Sequence, residues 1–162
     1  MKSALILVLG VLVLGYQAKA EECSKENAEK QVKEVCEDII AKGKDVKKEW
    51  PKKLLFENCG KNYVWVQDTD EHMKMVMHPI KVRLNGQALD THVDENNFKL
   101  FVEFDKAAKK KADGDWVDYV WAKPGKEKAS SKTSFVKLCK SKDGTAWIAG
   151  SGVWKEDLKP KK

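Results

Sequence analysis

The chain has 162 residues and a formal net charge of +6, a length that suits one domain with a proper hydrophobic core. Nearly all of its positive charge is lysine interspersed with Asp and Glu, as in Lys30 to Asp38, and Arg83 is the sole arginine. That is a solvated surface. The basic clusters and arginine forks of a nucleic-acid interface are missing, which argues against that class.

The N-terminus reads as a targeting signal. Lys2 precedes an apolar run from Ala4 to Gly15, and Ala18-Lys19-Ala20 has the small-x-small form of a cleavage site. The run is shorter than the ~20 apolar residues of a membrane span, so the membrane is involved only through this signal. The expected organisation is a signal peptide over 1–20, one domain over 21–158 and a charged, frayed tail over 159–162, in a periplasmic or secreted protein. All four cysteines, Cys23, Cys36, Cys59 and Cys139, lie beyond the cleavage site. An even number in an exported chain implies two disulfides. Four cysteines allow three pairings; the one favoured is Cys36–Cys59, tying the first helix to the entrance of the first strand, which would leave Cys23 with Cys139. No CxxC, CxxCH or paired-histidine spacing is present, so no metal and no cofactor is expected.

From Ser24, a plausible N-cap, apolar residues at Ala28, Val32, Val35, Cys36, Ile39, Ile40 and Val46 trace the stripe of an amphipathic helix. Trp50-Pro51 ends it. A strand follows at Tyr63 to Gln67, then an acidic turn and a second strand at Lys74 to Met77, stopped by His78-Pro79. Ile80 to Glu95 reads as a loop, and Phe98 to about Lys111 as a shorter helix. Three strands complete the chain at Trp116 to Trp121, Ser134 to Cys139 and Trp147 to Val153. A long helix followed by a five-stranded antiparallel sheet, with a loop-helix insertion, is a PAS-like α+β arrangement.

Strand alternation sorts side chains between two faces. The expected arrangement puts Val64, Val66, Val120, Val136 and Leu138 beneath the long helix. The opposite face then carries Tyr63, Trp65, Tyr119, Trp121, Phe135 and a lysine, Lys132 or Lys137, with His78 at its edge. Covered by the loop, such a face encloses an aromatic pocket ringed with hydrogen-bond donors, which suits a small carboxylate. His72, His92 and Arg83 sit among polar neighbours and are expected in solvent. Asp68, Asp70 and Glu71 lack the glycine and terminal glutamate of a calcium loop. No nucleophile elbow or paired carboxylates in an apolar setting stand out, so no enzyme is expected.

The pieces YVWVQD, MVMHPI, Leu84-x-Gly86, GDWVDYVW-x-KPG, Lys132-x-Ser134-Phe135-Val136-Lys137 and Gly150-x-Gly152-Val153, in this order, resemble a single Cache domain. That is the extracytoplasmic sensor module of bacterial chemoreceptors and histidine kinases. The resemblance implies a sensor for small organic acids such as acetate, propionate, pyruvate or lactate, with a pocket using Trp65, His78, Tyr119, Trp121, Lys132 and Phe135. Domains of that kind hang between two membrane spans, whereas this sequence runs to Lys162 without a second apolar segment. A free-standing exported module is therefore expected, presenting its ligand to a membrane receptor, histidine kinase or transporter. A structural or protein-interaction domain with a filled aromatic core is the competing expectation.

Overall fold

The computed structural model describes residues 23–50, 52–56 and 62–158. The expected signal peptide, Cys59 and the tail over 159–162 lie outside the described residues. One long helix packs on a five-stranded antiparallel sheet, as the sequence predicts.

Helix α1 spans Lys25–Lys42, with the Ser24 hydroxyl accepting from the Asn27 backbone N–H at 3.1 Å. Ala28, Val32, Val35, Cys36 and Ile39 are buried along one stripe, whereas Ile40, expected in that stripe, is exposed. The α-helix also ends earlier than expected. Gly43 adopts φ +54° and donates its N–H to Ile39 O, and the chain continues as a 3-10 helix over Gly43–Glu49. Only glycine takes that left-handed turn cheaply.

The strands are β1 (Trp65–Asp68), β2 (Met75–Met77), β3 (Asp115–Ala122), β4 (Ala129–Lys140) and β5 (Ala146–Trp154), in the order β2-β1-β5-β4-β3. Helix α2, Leu100–Lys110, lies between β2 and β3 in sequence. The sheet thus separates two cores. On the α1 side are Val32, Cys36, Ile39, Val64, Val66, Phe135, Cys139 and Trp147. On the α2 side are Tyr63, Trp65, Leu100, Phe101, Phe104, Tyr119, Trp121, Val136 and Trp154.

The expected facing is correct for β1 and for Tyr119 and Trp121, but reversed for β4. Trp116 pairs with Phe135, Val117 with Ser134 and Tyr119 with Lys132. Directly paired residues share a face, so Phe135 lies under α1 while Lys132, Ser134 and Val136 face α2. Leu138 also packs on the α2 side, and half-buried Val120 joins neither core. A one-residue change of parity flips a whole strand, and it carries Cys139 to the helix side as well.

That placement explains the disulfide. Cys36 bonds Cys139, with Cα atoms 5.3 Å apart, which overturns both expected pairings, Cys36–Cys59 and Cys23–Cys139. Cys23 is also disulfide-bonded. The bridge fastens the middle of α1 to β4 across 103 residues of chain. Beyond β5, Lys155 pairs with Asp118 and Asp157 with Lys123, both at 2.7 Å.

Replacing Cys36 and Cys139 together by serine is expected to lower unfolding free energy by about 2–4 kcal/mol, measured by urea titration. A peptide map of unreduced protein that joined Cys36 to Cys59 would contradict this topology.

Candidate functional site

The α2 face of the sheet holds a small enclosed cavity. Its walls are Tyr63, Trp65, His78, Leu100, Phe101, Phe104, Tyr119 and Trp121. The non-atomic space among them is about 180 Å³, but only about 10 Å³ would admit the centre of a water molecule, roughly room for one water. The cavity is closed tightly around its polar groups.

Four of the sequence-predicted residues, Trp65, His78, Tyr119 and Trp121, line this space together. Lys132 stands one layer behind them, fully buried, and Phe135 is on the opposite face of the sheet. The walls from α2 were not foreseen, because nothing in an amphipathic helix pattern says which sheet face it will cover. The buried stripe of α2 is Leu100, Phe101, Phe104 and Ala108.

Two glycines on β5 let neighbouring side chains of this face lie close to the sheet. A Cβ on Gly150 would lie 2.4 Å from the Trp65 indole, and one on Gly152 would lie 2.1 Å from Ser134 Oγ. Gly150 and Gly152 share a face by strand alternation. The first lets Trp65 lie against the strand, and the second leaves room for Ser134, whose hydroxyl lies 2.9 Å from Tyr119 Oη.

His78 is fixed by the turn that follows β2. Its Nδ1 accepts from the backbone N–H of Lys81 at 3.0 Å and of Ile80 at 3.3 Å, while its own N–H donates to Asn85 Oδ1 at 2.6 Å. With Nδ1 an acceptor, Nε2 carries the proton and is a donor. Burial, then the charges of Lys132 and Lys81, pushes its pKa down to about 3, so the ring is neutral near pH 7. The Trp65 indole N–H is buried without a hydrogen-bond partner among the described residues. Such a group normally has one.

Lys132 is the most unusual member. Its ammonium donates to Tyr63 Oη at 3.2 Å and lies 4.4 Å from the Tyr63 ring centroid, 4.2 Å from Trp154 and 5.7 Å from Trp65. No acidic side chain among the described residues forms an ion pair with it. Burial, and secondarily the charge of Lys81, lowers its pKa to about 7. Tyr63 Oη accepts from Lys132 and also meets the Trp121 side chain, which leaves its O–H as a donor. Tyr63, Trp65, His78 and Lys132 therefore present donors and no carboxylate, an arrangement suited to an anion.

Two residues of the loop between β2 and α2, the lid of this cavity, complete the surroundings. Lys81 lies 3.8 Å from the Trp121 ring centroid. His92, expected in solvent, packs instead on Phe101 at 5.3 Å and Trp121 at 6.0 Å between centroids. Asp94 ties this loop to the free edge of β3, accepting from Val120 N–H at 3.0 Å. Exposed His72 lies 3.3 Å from Asp90. Asp68 braces a turn by accepting from the Lys74 and Asp70 N–H groups.

The profile of the single Cache domain 2 family matches residues 1–161. The chain belongs to that family. Similar solved structures share its helix-on-sheet architecture. One, a periplasmic sensor domain of a chemotaxis protein, has a TM-score of 0.61 at 31% identity, covering 80% of this chain and 89% of that one. A second is a Cache chemosensory domain whose structure concerns carboxylic acid recognition, with TM-score 0.60, 28% identity and coverage of 80% and 87%. A methyl-accepting chemotaxis protein from Vibrio parahaemolyticus shares the fold at 23% identity, with TM-score 0.58 and coverage of 83% and 85%. Among curated proteins, the methyl-accepting chemotaxis protein McpP of Pseudomonas putida is 36% identical over 97 residues. That match takes in 60% of this chain and 17% of the receptor's length. The Cache assignment accounts for the long helix packed on a five-stranded, PAS-like sheet.

The buried ammonium sets a pH dependence of stability. Lys132 titrates at the ordinary 10.5 when unfolded and about 7 when folded. Between those values the unfolded chain holds a proton that the folded one has lost, so stability of the ligand-free domain increases as pH rises above 7. Below 7 the cost of burying the charge is carried in full. Urea titrations should show a gain of about 2 kcal/mol from pH 7 to 9, at ~1.4 kcal/mol per unit once the lysine is fully deprotonated in the folded state. Lys132→Met should flatten that rise and raise the melting temperature at pH 6. Parallel curves for the two proteins would contradict this reading.

Proposed function

We propose that this Cache domain is an extracytoplasmic sensor that binds a small monocarboxylate of the acetate, propionate, pyruvate or lactate class. The observation that carries the reading is a buried ammonium, Lys132, with no acidic partner among the described residues, behind a cavity whose polar groups are donors. Such a charge is costly unless an anion joins it. The carboxylate takes the Tyr63 O–H, the His78 Nε2–H and the Trp65 N–H, with Lys132 balancing its charge. Leu100, Phe101 and Phe104 contact the short carbon chain. The recognition of carboxylic acids by a 28% identical Cache neighbour supports this class. The acid-bound state is what a membrane receptor, histidine kinase or transporter reads in the periplasm.

The tightness of the cavity favours a second reading, in which the aromatic face is filled core and the domain serves protein interaction. Thermal unfolding decides between them. A ligand that binds only the folded state raises its melting temperature, by about 5 °C or more at a hundredfold excess over Kd. Acetate, propionate, pyruvate and lactate are each added at millimolar concentration to wild type, Lys132→Met and His78→Ala. The sensor reading expects at least one acid to shift wild type, with the shift lost in Lys132→Met and reduced in His78→Ala. No shift with any of the four supports the filled-core reading.

A further inference from the structure

We propose that Lys81 is an anion-capturing gate, its ammonium on Trp121 marking where a carboxylate passes between solvent and Lys132. The proposal rests on the carboxylate reading of the cavity and adds a residue and a route to it.

The route follows from burial. Tyr63, Trp65, His78, Leu100, Phe101 and Phe104 are each at most 2% exposed, whereas Tyr119 and Trp121 reach 8% and 7%. Only the β3 side of the cavity therefore approaches the surface. The Tyr119 hydroxyl is engaged by Ser134, which leaves Trp121 as the thin wall. Two side chains of the lid lie against its ring, Lys81 and His92.

The lid backbone is well held. His78 N–H bonds Asn85, Gly86 N–H bonds Met75 O at 2.8 Å, Leu89 N–H bonds His72 O at 2.9 Å and Asp94 holds Val120. The lysine side chain is the freer part. It is half-buried and has no ion pair with an acid among the described residues. A lysine stem swings on several rotatable bonds, so the wall opens without unpairing the lid.

The electrostatics fit capture. The Lys81 charge is felt by His78, His92 and Lys132, so its ammonium stands within the field of the inner site. Glu95 is the acid that acts on Lys81. Tyr63, Trp65, Tyr119 and Trp154 surround Lys132 from the strands and bring no carboxylate. An approaching anion meets Lys81 first, draws it off the indole face and passes inward to the second cation. A cation at the rim acts mainly on association rate and its salt dependence, whereas a buried partner acts on dissociation.

Stopped-flow tryptophan fluorescence, with kinetic calorimetry as a second readout, tests this on the whole domain with acetate, propionate, pyruvate and lactate in turn. Lys81→Gln should slow association about 3- to 10-fold at low ionic strength, flatten its salt dependence and leave dissociation within about twofold. Lys81→Arg should restore both rate and salt dependence. Association by Lys81→Gln that is unchanged or faster overturns the gate while leaving the carboxylate site standing. Faster dissociation with unchanged association also overturns it, since Lys81 would then be a direct ligand contact. If none of the four acids binds wild type, the site and the gate fall together.

Discussion

The Lys132 ammonium, buried between Tyr63 Oη and the rings of Tyr63, Trp65 and Trp154, is the constraint on which the rest of this domain turns. A lysine that far from water is stable as a cation only with electron-rich neighbours or a counter-charge. Three aromatic faces and one phenol oxygen supply part of that compensation. The remaining imbalance shows in a pKa near 7, while burial first, and the Lys132 charge second, keep His78 neutral and a donor. Anion recognition and the cost of the empty state thus share one origin.

The sheet makes this arrangement from ordinary strand geometry. Lys132 pairs with Tyr119 on β3 and with Trp154 on β5, so one register sets the cation, one cavity wall and one of the rings over the ammonium. Gly150 and Gly152 thin the neighbouring strand so that Trp65 and Ser134 fit. Beneath the sheet, Cys36–Cys139 fastens α1 to the same β4 strand. The helix and the site are consequently coupled through β4, with Cys139 and Lys132 on its opposite faces.

Much of this was legible in the sequence. Alternation in Tyr63 to Gln67 sorts the aromatic from the aliphatic face correctly and places Tyr119 and Trp121 together, though not Val120 under the helix, and His78-Pro79 marks the end of β2. The Cache resemblance supplied the order of the elements. What failed was the facing of β4. In Ser134-Phe135-Val136-Lys137-Leu138 both parities carry apolar residues, because this strand is covered on both faces and alternation loses its contrast. One reversed parity then misplaced Phe135, Val136 and Leu138 and turned Cys139 away from Cys36. Lys132 and Phe135 differ by an odd number of positions, so a regular strand cannot bring both into one pocket. The roles of Lys81 and His92 were hidden for another reason. Both stand in a loop whose polar neighbours suggest solvent, and only the tertiary fold lays them against Trp121.

Calorimetric titration with acetate at pH 8, in two buffers of different ionisation enthalpy, tests the central claim most directly. Most of Lys132 is neutral at that pH in the empty site, and an anion beside it restores the charge. The account predicts uptake of ~0.9 proton per acetate bound, vanishing in Lys132→Met along with most of the affinity. Acetate binding with no proton uptake, or with uptake that survives Lys132→Met, would contradict a site organised around this lysine.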